Sequence, residues 1–175
     1  MDYKERLRQW NSTEKYRDEV DLLFQLISAY APNRVLDYGC GIGTAMHLLN
    51  RFNKFKVFGF DVNKYIDTDL FYDNDIKNTY DHVYFLHSIS HIENIKEVIL
   101  KLKTSGCTYR PAITVITPNA SWLDPGYKSD PTVIKHYTQS ELKELFVSCG
   151  YEVTLLGQFG EEKNGINERI FLQAK

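Results

Sequence analysis

A chain of 175 residues with 43% hydrophobic and 25% charged side chains has the make-up of one globular domain with a sizeable core, spanning residues 1–175 and leaving no length for a second. A formal net charge of −2 argues against a binder that grips nucleic acid through a broad basic face. The charged start M-D-Y-K-E-R-L-R, with no run near the roughly 20 apolar residues of a membrane helix, points to a cytoplasmic protein that uses neither nucleic acid nor membrane as partner.

The first helix is predicted over residues 11–29. Asn11 and Glu14 form a capping-box pair, Tyr16, Val20, Leu23, Phe24 and Ile27 recur at helical spacing, and Pro32 stops the run. Val35 and Leu36 then end a short buried strand with Asp37 at its carboxyl end. Gly39, Gly41 and Gly43 alternate through a tight turn, and a second helix starts at residues 44–49 and runs to about residue 53. Glycines belong in such a turn because the backbone must bend sharply and let a ligand approach without a Cβ in the way. In open α/β sheets, dinucleotides and S-adenosylmethionine use turns of this kind. The dinucleotide fingerprint Gly-x-Gly-x-x-Gly fails in both registers, its last position falling on Thr44 or on Met46. What stands here is Asp-x-Gly-x-Gly-x-Gly, with Cys40 a small residue inside the turn. The cysteines Cys40, Cys107 and Cys149 have no metal-ligand spacing and read as reduced thiols.

The next strand, K-V-F-G-F-D of residues 56–61, ends in an acid 18 residues after Gly43 (61 − 43 = 18). A strand–turn–helix–strand unit places that acid at the tip of the neighbouring parallel strand, where a carboxylate either accepts both hydroxyls of a ribose or caps a helix. Residues 62–80, rich in Asp and Asn, read as a loop with at most a short strand at 70–72. Y-D-H-V-Y-F-L-H is a strand, followed by S-I-S-H-I-E-N. Residues 94–103 form a helix with Ile95, Val98, Ile99 and Leu102 on one side and Gly106 as terminator. Residues 112–119 read as a buried strand ending in Thr-Pro-Asn. The long segment that follows carries Trp122, Tyr127, Lys128, His136 and Tyr137, and loops of that length in compact domains are usually functional or mobile. Thr138 and Glu141 make a capping box for a helix over 141–149, stopped at Gly150, and strands at 151–156 and 168–172 flank a polar, Gly-containing turn. His87 and His91 stand four apart, but no glutamate follows the first and no third ligand is evident, so no metal site is expected.

D-Y-G-C-G-I-G closely resembles the first motif of the class I S-adenosylmethionine-dependent methyltransferases. Tyr80, Asp81, the apolar strand after them and the pair His87/His91 resemble that family's fourth motif, with Ser90 in place of a frequent acid. Thr117-Pro118-Asn119 is familiar at this place in the small-molecule members. The resemblance implies a Rossmann-like three-layer α/β/α sandwich. Its mostly parallel sheet, of the seven-stranded type, would be shortened between strands 2 and 4 and closed by an antiparallel carboxy-terminal hairpin. It implies S-adenosyl-L-methionine as cofactor, with S-adenosyl-L-homocysteine as product, over the carboxyl ends of the strands. Asp37 would attract its cationic groups directly or through water. Tyr38, Gly39, Gly41 and Gly43 would form the turn beneath it, and Asp61 with Val62 would meet the ribose. An acid among Asp69, Asp73 and Asp75, here taken as Asp73, would meet the adenine. Leu86 and His87 would lie beside the methionine part. Residues 1–31 would form a helical cap over the site, through Trp10, Tyr16 or Arg17, and 119–137 a substrate loop. The reaction would be in-line methyl transfer to a small-molecule acceptor, such as a sugar or another metabolite, in a monomer or homodimer. His87 is the first choice of general base and His136 the second, while His91 would fix the local turn and His47 and His82 serve packing or surface. A protein that binds the cofactor without catalysis is the rival reading.

Overall fold

The computed structural model describes residues 2–63, 65, 79–104, 110–123 and 131–175. Asp69, Asp73 and Asp75, the strand expected at 70–72, Gly106, Cys107, Tyr127 and Lys128 lie outside the described residues.

The predicted first helix is two helices, α1 (Tyr3–Asn11) and α2 (Glu14–Ser28). The reason is Thr13, whose hydroxyl serves both ends at the break. It donates to the Trp10 carbonyl (2.8 Å) at the end of α1 and accepts from the Tyr16 N–H (3.2 Å) at the start of α2. A cap of this kind is worth about 1 kcal/mol. Asn11 therefore ends α1 instead of opening α2, and its side-chain amide donates to Thr44 Oγ1 (2.9 Å). This ties α1 to the helix after the glycine turn.

Among the described residues six strands form one sheet: β1 (Arg34–Tyr38), β2 (Lys56–Phe60), β3 (His82–Leu86), β4 (Ala112–Pro118), β5 (Val153–Lys163) and β6 (Ile166–Ala174), in the order β2-β1-β3-β4-β6-β5. The first four in that order are parallel, and β6 runs antiparallel between β4 and β5. Alternation along the strands sorts two cores. Val35, Tyr84, Leu86 and Ile116 pack with Leu23 and Ile27 of α2 and with Met46 and Leu49 of α3 (Thr44–Arg51). Leu36, Val83, Phe85 and Val115 pack with Ile95 and Ile99 of α4 (Ile95–Thr104) and with Leu142 and Phe146 of α5 (Gln139–Ser148). Helices thus cover both faces, as in a Rossmann-like α/β/α sandwich with an antiparallel carboxy-terminal hairpin.

Local chemistry explains the remaining boundaries. Thr138 and Glu141 close their capping box reciprocally, so α5 starts at Gln139, ahead of the predicted residue 141. The carboxy-terminal strands are longer than 151–156 and 168–172 because Asn164 (φ 55°) and Gly165 (φ 76°) alone turn the chain, a two-residue loop whose positive φ values suit strand twist. Asp81 is structural, as its Oδ2 accepts from the N–H groups of Asn33 (2.8 Å) and Arg34 (2.9 Å) and registers the start of β1 against β3. Among the described residues, no helix is long and apolar enough to cross a membrane.

Candidate active site

In this strand order β1 has β2 on one side and β3 on the other, so the connections leaving its neighbours part above its carboxyl end and open a crevice there. A cavity of about 420 Å³ occupies that place. Tyr38, Gly39, Cys40 and Gly41 form part of its wall. Gly39 takes φ 82°, and a Cβ on it would stand 2.4 Å from Ser88 Cβ, so the turn passes the end of β3 at a distance only glycine allows. Gly41 takes φ 54°, and a Cβ on it would press on Leu7 Cδ1 of α1, 3.2 Å away.

Asp61 holds this turn open. Its Oδ2 accepts from the Gly41 N–H (2.9 Å) and its Oδ1 from the Asn63 N–H (2.9 Å), while Phe60 O accepts from the N–H groups of Gly39 (2.7 Å) and Cys40 (3.0 Å). Burial pushes the Asp61 carboxyl up, against the pull of those two backbone donors. Asp37 is buried below the turn, not on the cavity wall, and burial drives its carboxyl up to about 7 despite the Tyr84 hydroxyl that lowers it.

The opposite side of the cavity is built from α1 and α2, through Arg6, Leu7, Trp10, Asn11 and Tyr16. His87 stands directly after β3 with φ 59°, a conformation that costs a side-chain-bearing residue on the order of 1–3 kcal/mol, and its N–H donates to Ile116 O (2.8 Å). Its Nε2 lies 2.6 Å from Oε2 of Glu19, which is 1% exposed on α2. Arg169 Nε of β6, also 1% exposed, donates to Glu19 Oε1 (2.7 Å), Arg169 Nη1 lies 2.8 Å from Glu168 Oε1, and Lys15 pairs with Glu168. Trp10 sets its ring edge-on to His87 with centroids 6.0 Å apart and lies under the Arg169 guanidinium at 5.6 Å. Burial alone would raise the Glu19 carboxyl, but His87 and Arg169 outweigh it and hold the group below the ordinary carboxylate range. Ions taken out of water cost several kcal/mol each, and Glu168, Arg169 and Glu19 offset that cost by pairing in a chain that ends on a cavity histidine.

The structure brings Tyr38, Gly39, Gly41, Asp61, Val62, Leu86 and His87 to one cavity, with Val62 82% exposed at its rim. Gly43, at φ 80°, is the N-cap of α3 and is not part of the cavity lining. Of the expected cap residues Trp10 and Tyr16 reach the cavity and Arg17 does not. His136 is half-buried outside the cavity wall. His91 does line the cavity, and its Nδ1 lies 3.0 Å from Thr132 O, a contact with a distant segment of the chain. His82 is a packing residue, fully buried 2.8 Å from Thr114 Oγ1 and pushed down to about 3 by burial. Sequence reasoning missed Glu19 and Arg169. The available signal was a carboxylate on the apolar face of α2, three residues after Tyr16 and four before Leu23, opposite an arginine embedded in the strand sequence N-E-R-I-F. Among the described residues no group of three or more His, Cys, Asp or Glu side chains could hold a metal ion.

The glycine cradle, the Asp61 carboxylate at the tip of β2 and the cavity between them fit a ribose-bearing cofactor with room above the turn. The family model described as "Methyltransferase domain" matches residues 3–156. No curated protein matches the chain. Among solved structures, a SAM-dependent methyltransferase from Aquifex aeolicus is similar at a TM-score of 0.70 and 13% identity, over 99% of this chain and 98% of that one. Magnesium protoporphyrin IX methyltransferase from Synechocystis PCC 6803, solved with bound SAH, is similar at a TM-score of 0.65 and 14% identity, over 91% and 82%. The small RNA methyltransferase HEN1 is similar at a TM-score of 0.68 and 15% identity, over 91% of this chain but 25% of that one. At these identities the likenesses speak to the fold, and the family model, matching most of the chain, carries the family. The chain belongs to the methyltransferase domain family and is a class I S-adenosylmethionine-dependent methyltransferase.

Proposed function

We propose that the protein methylates a small-molecule acceptor inside the capped cavity, with His87 as the base that removes the acceptor's proton. The observation that carries this reading is the His87 ring on the cavity wall at the end of β3, backed by the buried Glu19 carboxylate. When bound, the cofactor supplies an electrophilic methyl group on a sulfonium. The residues of the chain then have three tasks. Asp61 holds the ribose end, the turn at Gly39–Gly41 lets the cofactor lie against backbone, and α1 with Trp10 excludes water and holds the acceptor in line. His136, outside the wall, has no part in this scheme. The test is transfer of labelled methyl from S-adenosylmethionine to a host extract separated into small-molecule, RNA and protein fractions. Label in the small-molecule fraction, lost with His87→Gln, supports the proposal. An RNA acceptor is the second reading, favoured by the fold shared with a small RNA methyltransferase, and label confined to RNA would establish it.

Asp61→Ala removes the acceptor for two backbone N–H groups as well as for the ribose. Expected results are a folded protein less stable by about 1–3 kcal/mol and an S-adenosylhomocysteine affinity lower by roughly 1.5–3 kcal/mol, read by thermal unfolding and isothermal titration. Unchanged affinity would remove Asp61 from the cofactor site.

Asp37 gives the site a pH dependence whose sign is fixed by its raised pKa. The empty protein holds this carboxyl neutral up to about 7, so its contribution to stability is full below the unfolded value of about 4 and is lost as pH rises through about 7. A cation bound above the turn favours the ionised form, so affinity for S-adenosylmethionine should rise about tenfold between about pH 5.5 and 7.5 and then level off. Asp37→Asn should flatten that profile. A flat profile in the wild type would show that Asp37 does not sense the cofactor.

A further inference from the structure

We infer that Glu19 is a positioning residue that fixes the tautomer of His87, keeping the proton on Nε2 and leaving the lone pair of Nδ1 as the basic site. The role of that lone pair in catalysis rests on the reading of His87 as the base. For the neutral ring, the tautomer itself follows from the contacts alone. An ionised carboxylate accepts hydrogen bonds and donates none. Glu19 is 1% exposed, its Oε1 is committed to Arg169 Nε at 2.7 Å, and its Oε2 stands 2.6 Å from His87 Nε2. At that separation an Nε2 lone pair would face an oxygen lone pair of a carboxylate that is 1% exposed, whereas an Nε2–H satisfies both atoms. A neutral imidazole carrying its proton on Nε2 has its lone pair on Nδ1, and Nδ1 has no partner among the described residues.

The surroundings hold this arrangement in place. The Arg169 guanidinium favours the ionised form of Glu19, Glu168 pairs with both Lys15 and Arg169, and the Trp10 ring stands T-shaped against the imidazole. When an acceptor hydroxyl meets Nδ1, its O–H bond breaks as the Nδ1–H bond forms. The electron pair stays on the acceptor oxygen for the bond to the methyl carbon, and the proton leaves Nδ1 for solvent after release. Glu19 touches neither acceptor nor cofactor in this scheme. It stabilises the imidazolium formed at that moment, as a carboxylate behind a histidine does in hydrolytic triads.

The tautomer is read directly by long-range proton–nitrogen spectra of the full chain with labelled histidine, its His87 signals identified by their loss in His87→Gln. At about pH 8 the expected pattern is a protonated Nε2 and an unprotonated Nδ1. The reverse pattern, or protons on both nitrogens, overturns the inference. Glu19→Gln can offer its amide N–H to Nε2, so a mixed or reversed tautomer and a fall in kcat of roughly 10²-fold are expected, with KM and S-adenosylhomocysteine affinity unchanged and recovery in Glu19→Asp. Unaltered kcat in a folded Glu19→Gln, where His87→Gln is inactive, overturns the inference as well. If that variant fails to fold, the wild-type spectrum still decides. The two readings also fail differently. The expected spectrum with a fully active His87→Gln defeats the base and leaves the tautomer standing, whereas a reversed spectrum with an inactive His87→Gln defeats the tautomer and leaves the base.

Discussion

Gly41→Val should reduce affinity for S-adenosylmethionine and S-adenosylhomocysteine by more than about 100-fold while leaving the protein folded. Gly41 takes φ 54°, where a β-branched residue is strained by roughly 1–2 kcal/mol or more. That cost falls on stability and is within the margin of a domain this size. The new side chain would project toward Leu7 of α1, which stands 3.2 Å from the position of its Cβ, and so into the space between the turn and the cap. Leu7 ends in a flexible group and can yield, so the fold survives, but a cofactor lying on the backbone cannot share that space. Gly39→Val makes the contrast. Its Cβ would stand 2.4 Å from Ser88 Cβ, beside a Ser88 hydroxyl that donates to Tyr38 O, so that variant should lose stability first. Circular dichroism with isothermal titration separates the two cases. A folded Gly41→Val with wild-type affinity would show that the cofactor does not lie over this turn.

Much of the site was legible because its parts are local in sequence. Three glycines in five residues, an acid 18 positions later and a histidine closing an apolar strand each report on their own neighbourhood, and the parallel sheet gathers them at one end. What could not be read was the partner of that histidine. Glu19 and Arg169 are 150 residues apart in sequence and meet only because α2 lies against the face of the sheet that contains β6. On a helical wheel Glu19 looks like an intruder on an apolar face until the opposite charge is known. The helix break at residues 12–13 was hidden for a related reason. Both Asn11 and Thr13 are good caps, and the choice turned on Thr13 satisfying a carbonyl of the preceding helix as well, which the Asn11–Glu14 spacing does not disclose. The Asn164–Gly165 turn, by contrast, was a readable signal for a two-residue hairpin, and it sets strands that continue almost to the turn itself.

His87→Gln should lower methyl transfer by roughly 10²–10⁴ once an acceptor is in hand, with cofactor affinity within about threefold of wild type. Glutamine is chosen because its amide N–H can still donate to Glu19 Oε2, so the buried carboxylate keeps its second partner and Arg169 its own. His87→Ala would leave the buried Glu19 Oε2 without that partner, and an unsatisfied buried charged acceptor costs on the order of 1–3 kcal/mol or more, so lost activity there would mix unfolding with chemistry. The amide oxygen of glutamine is too weak a base to take a proton from a hydroxyl at neutral pH, which isolates the step assigned to the imidazole. The positive φ of His87 is carried over to a residue with a similar backbone cost, and its N–H bond to Ile116 O is unaffected. Binding of the methionine part against the backbone at Leu86 and His87 should therefore persist. If the variant turns over at the wild-type rate, the cavity works by holding cofactor and acceptor in line, and the strained, carboxylate-backed histidine serves to seat α1 and α2 on the sheet.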